Sequence, residues 1–316
     1  MVSEPKTPLI SALICTRNRG PSLSDTVSSI LKNTHPNFEL VIIDQSTNDE
    51  TENAVRVYAS DERLRYVRTA TIGKGRALNL ALAETKGDVI AITDDDCVAP
   101  PNWLEAFARI FADHPKVAVA FCNVTAAPHD CTKGFVPVYV REDDALITEI
   151  REKRHARGIG AGHAIRRGSV EKIGGFDNLL GPGSKFPSSE DFDIAVRALL
   201  AGYHVYETCS VAVEHFGYRN WEQGRELTRR DFNSMGAAYS KPIKCGRWEF
   251  LPVFIHEFSR HVLWPPIWDA LRLRKPRITR VPAFVKGFVD GWRTPVDRTT
   301  LKFFDNPAAW KIKDLP

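Results

Sequence analysis

The chain has 316 residues, of which 43% are hydrophobic and 26% are charged, and its formal net charge is +4. This is ordinary globular composition, with ample length for a buried core. The six cysteines form no C-x-x-C pair, which excludes a zinc ribbon and a thioredoxin-type redox motif, and no uninterrupted apolar run approaches the ~20 residues that span a bilayer.

The charge divides the chain into two regions. Residues 1–218 carry 24 Lys+Arg and 29 Asp+Glu, whereas residues 219–316 carry 19 and 10 and hold six of the seven tryptophans. The first six residues lack the apolar segment of a signal peptide, and several cysteines lie in apolar runs, as buried thiols do. We therefore expect a folded domain over 1–218 and a basic, aromatic extension over 219–316. We expect the protein to be cytoplasmic, or bound peripherally to the cytosolic face of a membrane.

Apolar runs of strand length alternate with amphipathic segments over the first 122 residues. The periodicity predicts buried strands at residues 9–15, 38–44, 64–68, 88–92 and 117–122. It predicts helices between them at residues 21–31, 49–60, 76–85 and 100–111. This order predicts an α/β fold with a mostly parallel sheet, right-handed crossovers and helices on both faces.

The rest of the first region is less regular. The sequence predicts one charged helix over residues 141–157 and another helix over 192–200, which Glu190 and Asp191 open. Two short strands are predicted at residues 205–206 and 211–213.

Three carboxylates, Asp94, Asp95 and Asp96, directly follow the fourth predicted strand. Adjacent negative charges at a strand end repel one another unless solvent or a cation holds them, and Mg²⁺ and Mn²⁺ prefer carboxylate oxygen. Ligands of open α/β sheets gather at the carboxyl ends of strands, so the run predicts a cation that bridges the protein and a diphosphate. A solvated acidic turn is the other interpretation of the same run.

Two basic places suit the phosphates of such a ligand. The loop after the first strand contains Arg17 and Arg19. Lys74 and Arg76 stand at the start of a predicted helix, where the helix dipole also favours an anion. Asp44 ends the second strand, a position from which a carboxylate often accepts hydrogen bonds from a base or ribose. Each place taken alone is also typical of an ordinary solvated loop or helix start.

Taken in order, these motifs resemble those of the inverting family 2 glycosyltransferases, which have the GT-A fold. The resemblance covers residues 9–215 and rests on Thr16-Arg17-Asn18-Arg19, Asp44 with Ser46-Thr47, Gly75-Arg76-Ala77-Leu78-Asn79, Asp94-x-Asp96, Gly174-Gly175-Phe176-Asp177, Glu190-Asp191 and His215. Many members have Asp-Gly after the second-strand aspartate, where this chain has Gln45-Ser46. The implied architecture is a GT-A domain with a helical C-terminal extension.

The resemblance implies a metal-dependent enzyme that transfers a sugar from a nucleoside-diphosphate sugar to a hydroxyl acceptor. Asp94 and Asp96 match the D-x-D pair: the resemblance implies that Asp94 reaches the ribose or the metal and that Asp96 ligates Mn²⁺ or Mg²⁺ on the diphosphate. Asp95 contributes to nucleotide positioning. His215 matches a histidine that completes the metal shell in some members.

The general base implied by the resemblance is Asp191, with Glu190 beside it in the catalytic site. Such a base takes the proton of the acceptor hydroxyl as its oxygen attacks the anomeric carbon, whose configuration inverts. The candidate donor-binding residues are Thr16, Arg17, Asn18, Arg19, Asp44, Ser46, Lys74, Arg76, Asp94 and Asp95. The structural alternative for Glu190 and Asp191 is that first-turn acids complement the helix dipole.

Two other functions fit the same residues less well. A sugar nucleotidyltransferase also combines a parallel sheet with acidic metal ligands, but it usually carries a long glycine-rich loop after the first strand, and residues 16–20 are too few for one. A non-catalytic sugar-nucleotide-binding membrane scaffold has no need of Asp191. The donor sugar and base, the glycan or lipid-linked acceptor and the oligomeric state stay open on this sequence.

Residues 219–316 lie outside the resemblance and are predicted to be helical. Helical faces are formed by Leu251, Phe254, Ile255, Phe258 and Val262, and by Val281, Phe284, Val285, Phe288, Val289 and Trp292. With the basic stretch 272–277, these faces predict contact with an anionic membrane surface. Packing on the catalytic domain is the other interpretation of each helix. Nucleic acid is not expected, because no nucleic-acid-binding motif accompanies the charge.

Overall fold

Residues 8–272 and 278–305 are described by this computed structural model. The strands are β1 (Ile10–Thr16), β2 (Phe38–Asp44), β3 (Leu64–Arg68), β4 (Val89–Thr93), β5 (Cys97–Val98), β6 (Val117–Ala126), β7 (Gly134–Phe135), β8 (Ala145–Ile147), β9 (Gly162–Arg166), β10 (His204–His215) and β11 (Arg219–Asn220). The helices are α1 (Ser24–Leu31), α2 (Glu50–Arg56), α3 (Lys74–Glu84), α4 (Trp103–Asp113), α5 (Arg167–Lys172), α6 (Glu190–Leu200), α7 (Trp221–Lys244), α8 (Leu251–Glu257), α9 (Trp264–Leu271) and α10 (Arg280–Arg293). Short 3₁₀ segments lie at Gly20–Leu23, Ile150–His155 and Trp248–Phe250, and a π-helical segment at Phe258–Leu263.

Nine of the described strands form one sheet, in the order β3-β2-β1-β4-β9-β6-β10-β5, with β8 also paired to β10. Strands β1 to β4 are parallel, β9 is antiparallel to both of its neighbours, and β10 is parallel to β6. Strands β7 and β11 form a separate two-stranded ribbon. The predicted α/β fold with flanking helices is confirmed, and the sheet is mixed beyond β4.

The central strands are apolar on both faces, so helices cover the sheet on both sides. In β1, Ile10 and Ile14 pack with α1 and α4, whereas Leu13 packs on the opposite face with α3 and α6. Strands β1 and β4 end at Thr16 and Thr93, at the same edge of the sheet. The polar residues that follow the parallel strands therefore meet at that edge.

Two predictions for the less regular part are wrong. Residues 141–157 do not form one helix, because β8 pairs antiparallel with β10 and places Ile147 opposite Val205. The apolar residues within this charged segment extend the sheet, and only a 3₁₀ segment follows them. The strands predicted at 205–206 and 211–213 are one strand, β10, with a register shift inside it.

The helical extension shares a core with the α/β domain. A cluster of buried residues combines Leu179, Phe186 and Val196 with Tyr239, Phe250, Phe284 and Phe303. Lys241 of α7 is fully buried, and its Nζ lies 2.6 Å from carboxylate oxygens of Asp177 and Asp193. Helices α7 and α10 approach so closely that a Cβ at Gly236 would lie 2.7 Å from the backbone nitrogen of Phe288.

The surface of the extension matches the membrane prediction only in part. Phe284 is buried in the shared core, whereas Val285, Val289 and Trp292 are exposed. Of the basic stretch 272–277, residues 273–277 lie outside the described residues. In the described ranges, no helix has the length and apolar character needed to cross a membrane.

Candidate active site

A cleft of about 930 Å³ lies at the carboxyl ends of the parallel strands. It brings together most of the residues predicted from the sequence, which are Thr16, Arg17, Arg19, Lys74, Asp94, Asp95, Asp96, Glu190, Asp191 and His215. These residues follow or end β1, β4 and β10, or begin α3 and α6. Because the strand order places those ends at one edge, residues distant in sequence share one site.

Asp95 ties the acidic run to the loop after β1. The Thr16 hydroxyl donates to Asp95 Oδ2 at 2.6 Å, and Arg19 Nε donates to Asp95 Oδ1 at 2.9 Å. Arg19 Nη2 also donates to Asp96 Oδ2 at 2.9 Å. Burial opposes the charge on Arg19, but hydrogen bonding and attraction to Asp95 and Asp96 raise the pKa of its guanidinium above the usual value. Arg19 therefore remains charged and holds two of the three carboxylates in place.

Lys74, at the first position of α3, lies between two carboxylates. Its Nζ is 2.6 Å from Asp94 Oδ1 and 3.2 Å from Glu190 Oε1. Burial opposes the lysine charge, but Asp94 and Glu190 outweigh it and raise the pKa of the ammonium well above its usual value. Burial raises the pKa of the Glu190 carboxyl, and Lys74 counteracts that rise. Lys74 therefore stays protonated, and its ammonium lies between two carboxylates at the cleft.

Asp96 and His215 form the pair best placed to hold a cation. Asp96, Cys97 and His215 each offer one potential ligand atom, and these atoms lie within 4.8 Å of one another. His215 Nε2 lies 3.3 Å from Asp96 Oδ1, and its Nδ1 lies 3.0 Å from the Pro137 carbonyl oxygen. Such a carbonyl accepts from Nδ1–H and thereby turns Nε2 toward the ligand position.

The chemistry of these donors fits Mn²⁺ or Mg²⁺ through Asp96 and His215. Burial raises the pKa of the Cys97 thiol, and thiol sulfur is a softer donor than Mn²⁺ or Mg²⁺ prefers. Burial opposes the charge of His215, but hydrogen bonds to Asp96 and Pro137 raise the pKa of its imidazole. Asp94 was predicted as a second metal ligand, but the structure places its Oδ1 on Lys74 and outside this group.

Asp191 lies in the first turn of α6, and a strained turn directs it toward the cleft. Ser189, just before the helix, has φ of 73°, a left-handed conformation that costs a non-glycine residue about 1–3 kcal/mol. Asp191 Oδ1 accepts from the backbone N–H of Phe192 at 2.7 Å. Its Oδ2 faces Gly160, where a Cβ would lie 3.3 Å away. The missing side chain at Gly160 leaves space beside Oδ2 for a substrate hydroxyl.

Three predicted donor-binding residues, Asn18, Asp44 and Ser46, brace the loops beside the cleft. Asp44 is fully buried, and it accepts from the Ser46 backbone N–H at 2.7 Å and from the Tyr66 hydroxyl at 2.5 Å. The Ser46 hydroxyl oxygen accepts from the Asn18 N–H at 2.7 Å. Both carboxylate oxygens of Asp44 thus accept hydrogen bonds from other residues of the protein. The neighbouring Gln45, and not Asp44, lines the cleft.

Arg76 is also not among the described residues that line the cleft, and its donor contact stays a prediction. Its Nη2 donates to both carboxylate oxygens of Asp305, at 2.8 and 3.0 Å, and its Nη1 donates to the Ile72 carbonyl at 2.8 Å. The guanidinium is directed to the C-terminal segment because a carboxylate there compensates its charge.

Helix α7 forms a wall of the cleft that the sequence did not predict. Its lining residues are Glu222, Gln223, Glu226, Leu227, Arg230 and Asp231. Burial raises the pKa of the Asp231 carboxyl to about 6, and repulsion from Asp191 and Glu190 adds to the rise. The only signal in the sequence is the density of charges at the start of the helix, which also predicts a solvated or membrane-facing surface.

A family comparison agrees with the sheet and the acidic run. The model of glycosyl transferase family 2 matches residues 11–174, about half of the chain. This range extends from β1 through α5 and contains Lys74 and all three residues of the acidic run.

Curated relatives and solved structures extend the similarity further. The glucosyl-dolichyl phosphate glucuronosyltransferase of Haloferax volcanii is 26% identical over 257 residues, which cover 74% of this chain and 76% of that protein. Other alignments cover as little as 13% of a curated relative's own length.

The mannosyltransferase PcManGT from Pyrobaculum calidifontis, in complex with GDP-Man and Mn²⁺, is 20% identical with a TM-score of 0.62, over 90% of this chain and 87% of that one. S. aureus TarS 1-349, in complex with UDP-GlcNAc, is 16% identical with a TM-score of 0.61, over 89% and 80%. At these identities the likeness shows the fold, and it confirms the predicted GT-A architecture.

Proposed function

This chain belongs to glycosyl transferase family 2, and we propose that it transfers a sugar from a nucleoside-diphosphate sugar to a hydroxyl acceptor, with a divalent cation and inversion of the anomeric carbon. The observation that carries the proposal is the convergence of Lys74, Asp96 and Asp191 in one cleft. Such a transfer needs a cationic side chain for the phosphates, a carboxylate that can bind the metal, and a carboxylate that an acceptor hydroxyl can reach. Lys74, Asp96 and Asp191 are proposed for these roles in that order.

The diphosphate of the donor fits the basic side of the cleft. Lys74 is held there as a charged ammonium by Asp94 and Glu190, and Arg17 lines the same cleft. Thr16 lines it at the end of β1, at the carboxyl edge of the sheet where ligands of open α/β folds bind. The similar folds bind GDP-Man and UDP-GlcNAc, which supports a nucleoside-diphosphate sugar as the donor class here.

Asp96 and His215 are the residues that we propose to hold Mn²⁺ or Mg²⁺. Their oxygen and nitrogen donors suit either cation, and a similar fold carries Mn²⁺. When bound, such a cation neutralises the charge that develops on a diphosphate leaving group. Arg19, which donates to Asp96 Oδ2, orients that carboxylate and limits the repulsion along the acidic run.

Asp191 is the proposed proton acceptor. The acceptor hydroxyl oxygen forms a bond to the anomeric carbon while its proton passes to Asp191 Oδ2, and the bond from that carbon to the phosphate oxygen breaks. The electron pair of the broken bond leaves with the nucleoside diphosphate, and a single displacement of this kind inverts the configuration. Glu190 acts through Lys74, at 3.2 Å, as a positioning residue.

The wall formed by α7 is the proposed acceptor side. Carboxylates and a guanidinium along one helix form charge-assisted hydrogen bonds with the hydroxyl groups of a glycan or of a lipid-linked saccharide. A cytoplasmic or peripheral location is proposed with this function. It is supported by the six cysteines, all within the described ranges and all unpaired.

The proposal is tested by Asp191→Asn, with Asp25→Asn as its matched control. Both aspartates lie in the first turn of a helix, so the loss of a dipole interaction alone affects both variants equally. With UDP- and GDP-sugars screened in Mn²⁺, we expect Asp191→Asn to lower kcat by about 10²-fold or more at unchanged donor affinity. We expect Asp25→Asn to match the wild type. Wild-type kcat in Asp191→Asn would reduce Asp191 to a helix-start acid and overturn the proposed chemistry.

A further inference from the structure

Helix α9 carries its large apolar side chains on the side that faces solvent. The exposed residues are Trp264 at 51%, Ile267 at 45%, Trp268 at 51% and Leu271 at 70%, together with Leu263 at 38%, the last residue of the preceding π-helical segment. They follow an i, i+1, i+4, i+5, i+8 spacing, so they share one face of the helix, which we call the α9 face. The one buried residue of the helix is an acid, Asp269. A surface helix of a globular protein normally shows the reverse arrangement.

Several phenylalanines of the extension differ from the α9 face because they pack against one another. Phe254 stacks on Phe258, and Phe284 lies within 6.4 Å of Phe254, Phe258 and Phe288 between ring centroids. Phe284 is only 2% exposed. These rings belong to the protein interior. Outside α9 the extension also exposes Trp248, Ile255, Val285 and Trp292, but α9 combines two tryptophans with Ile267 and Leu271 on a single face.

The charge around the α9 face is positive. Residues 251–293 contain eight Lys+Arg and three Asp+Glu. Two of the acids, Glu257 and Asp269, are buried, and the third, Asp290, lies 2.6 Å from Lys286 Nζ. The Arg272 guanidinium lies 5.3 Å over the ring of Trp268, so a cation directly borders the apolar face. By sequence, the stretch that contains α9 therefore carries a net positive charge.

We propose that the α9 face docks on the headgroup region of an anionic membrane. Tryptophan and leucine on one helical face insert at the boundary of headgroups and acyl chains, while basic residues beside them contact lipid phosphates. A second copy of the chain fits this face less well, because an isologous contact would bring the two cationic borders together. The docking itself is independent of glycosyl transfer.

The docking has a consequence for the acceptor, and this consequence rests on the proposed function. A transferase that lies on a membrane meets acceptors whose lipid portion stays in the bilayer. The inference thus favours a lipid-linked saccharide over a soluble glycan.

The test is co-sedimentation of the full chain with phosphatidylcholine vesicles that contain phosphatidylglycerol, and with phosphatidylcholine vesicles alone. We expect binding to the anionic vesicles at low salt. The double variant Trp264→Ser, Trp268→Ser should lose at least about tenfold in vesicle affinity at any salt. Arg272→Glu should lose roughly tenfold at low salt and much less at high salt, because salt screens the charge contribution.

Two matched controls separate docking from general effects. Trp248 is 64% exposed but lies outside α9, and Arg56 is 67% exposed on α2. Trp248→Ser and Arg56→Glu should bind vesicles as the wild type does, and every variant should keep the wild-type melting temperature because the replaced side chains are exposed.

Three outcomes would overturn the docking. One is a folded wild type that stays in the supernatant, and another is a tryptophan double variant that binds as tightly as the wild type. The third is concentration-dependent self-association that the double variant abolishes, without vesicle binding. None of these measurements requires a donor or turnover. A failure of the docking proposal is therefore distinguishable from a failure of the proposed transferase activity.

Discussion

Two lysines of this protein, Lys74 and Lys241, each contact two carboxylates, and the two clusters have different surroundings. Lys74 lies between Asp94 and Glu190 at the rim of the cleft, where 32% of the Asp94 side chain is exposed. A ligand can therefore reach this cluster, and we propose that the Lys74 ammonium contacts the diphosphate of the donor.

The cluster around Lys241 is sealed. Its two partners, Asp177 and Asp193, are buried along with it. Asp177 Oδ2 also accepts from the backbone N–H of Phe303 at 2.8 Å, and Asp193 pairs with Arg197 at 2.8 Å. Its hydrogen bonds join α7 and the C-terminal segment to the α/β domain. The comparison shows that the same charge pattern occurs once with access to solvent, where we propose a ligand contact, and once sealed, where it joins two parts of the fold.

The largest expected effect comes from breaking the sealed cluster with Lys241→Met. The replacement leaves buried carboxylates without their cation, which costs about 3–5 kcal/mol in the free energy of unfolding. Urea denaturation measures this loss. Conditions that keep the variant folded should leave its donor affinity unchanged, and a loss below about 1 kcal/mol would contradict the structural role of the cluster.

Lys74→Met, in the open cluster, should show the reverse pattern: a smaller effect on stability and a larger effect on nucleotide affinity. The cleft admits water, and the buried Glu190 can protonate, so we expect the free energy of unfolding to fall by less than it does in Lys241→Met. Nucleoside-diphosphate affinity should fall by about tenfold or more, since a charged hydrogen bond contributes roughly 1.5–3 kcal/mol. Calorimetry and denaturation on the same preparation compare the two quantities. Unchanged nucleotide affinity would place Lys74 outside the donor site.

A smaller effect is expected from Asp231→Asn. The folded-state pKa of Asp231, about 6, lies above its ordinary value, so the native state binds more protons than the unfolded state between about pH 4 and pH 6. The wild type therefore becomes less stable as the pH rises through that window, because the Asp231 carboxyl must ionise in a buried site. Asparagine does not ionise, so the variant escapes this destabilisation. The variant should gain about 1 kcal/mol over the wild type between pH 4 and pH 7, discounted for the partial exposure of the site.

Melting curves at the two pH values measure the Asp231 effect. A stability difference that is the same at pH 4 and pH 7 would show that Asp231 titrates normally. If α7 forms the acceptor side, the variant should also raise the KM for the acceptor while leaving the donor affinity unchanged.

The central strands and the acidic run were predictable because their signals are local. An apolar run followed by Asp94, Asp95 and Asp96 specifies both a buried strand and a polar strand end. Similarly, the acids at the start of α6 are adjacent in sequence, and the helix that they open was predicted.

The remaining features depend on contacts between distant residues, which periodicity does not reveal. Arg76 pairs with Asp305, which lies 229 positions away in the sequence. Because this partner could not be foreseen, the charge of Arg76 was interpreted as a phosphate contact. The apolar face that contains Phe284 was predicted correctly as apolar, but the pattern does not say whether protein or lipid covers it. Likewise, Asp231 reaches the cleft only because α7 packs beside α6. The three residues of β8 are apolar within a charged segment, and only their pairing with β10 makes them a strand.

The most direct test of the account is the affinity of the wild-type chain for UDP and GDP, measured by calorimetry in Mn²⁺ and in EDTA. Because the acidic run repels a diphosphate unless a cation intervenes, we predict at least about tenfold tighter binding in Mn²⁺ for one of the two nucleotides. Asp96→Ala should bind that nucleotide equally weakly in both conditions. Equal wild-type affinity in Mn²⁺ and EDTA, or no binding of either nucleotide, would contradict a metal-assisted donor site in this cleft.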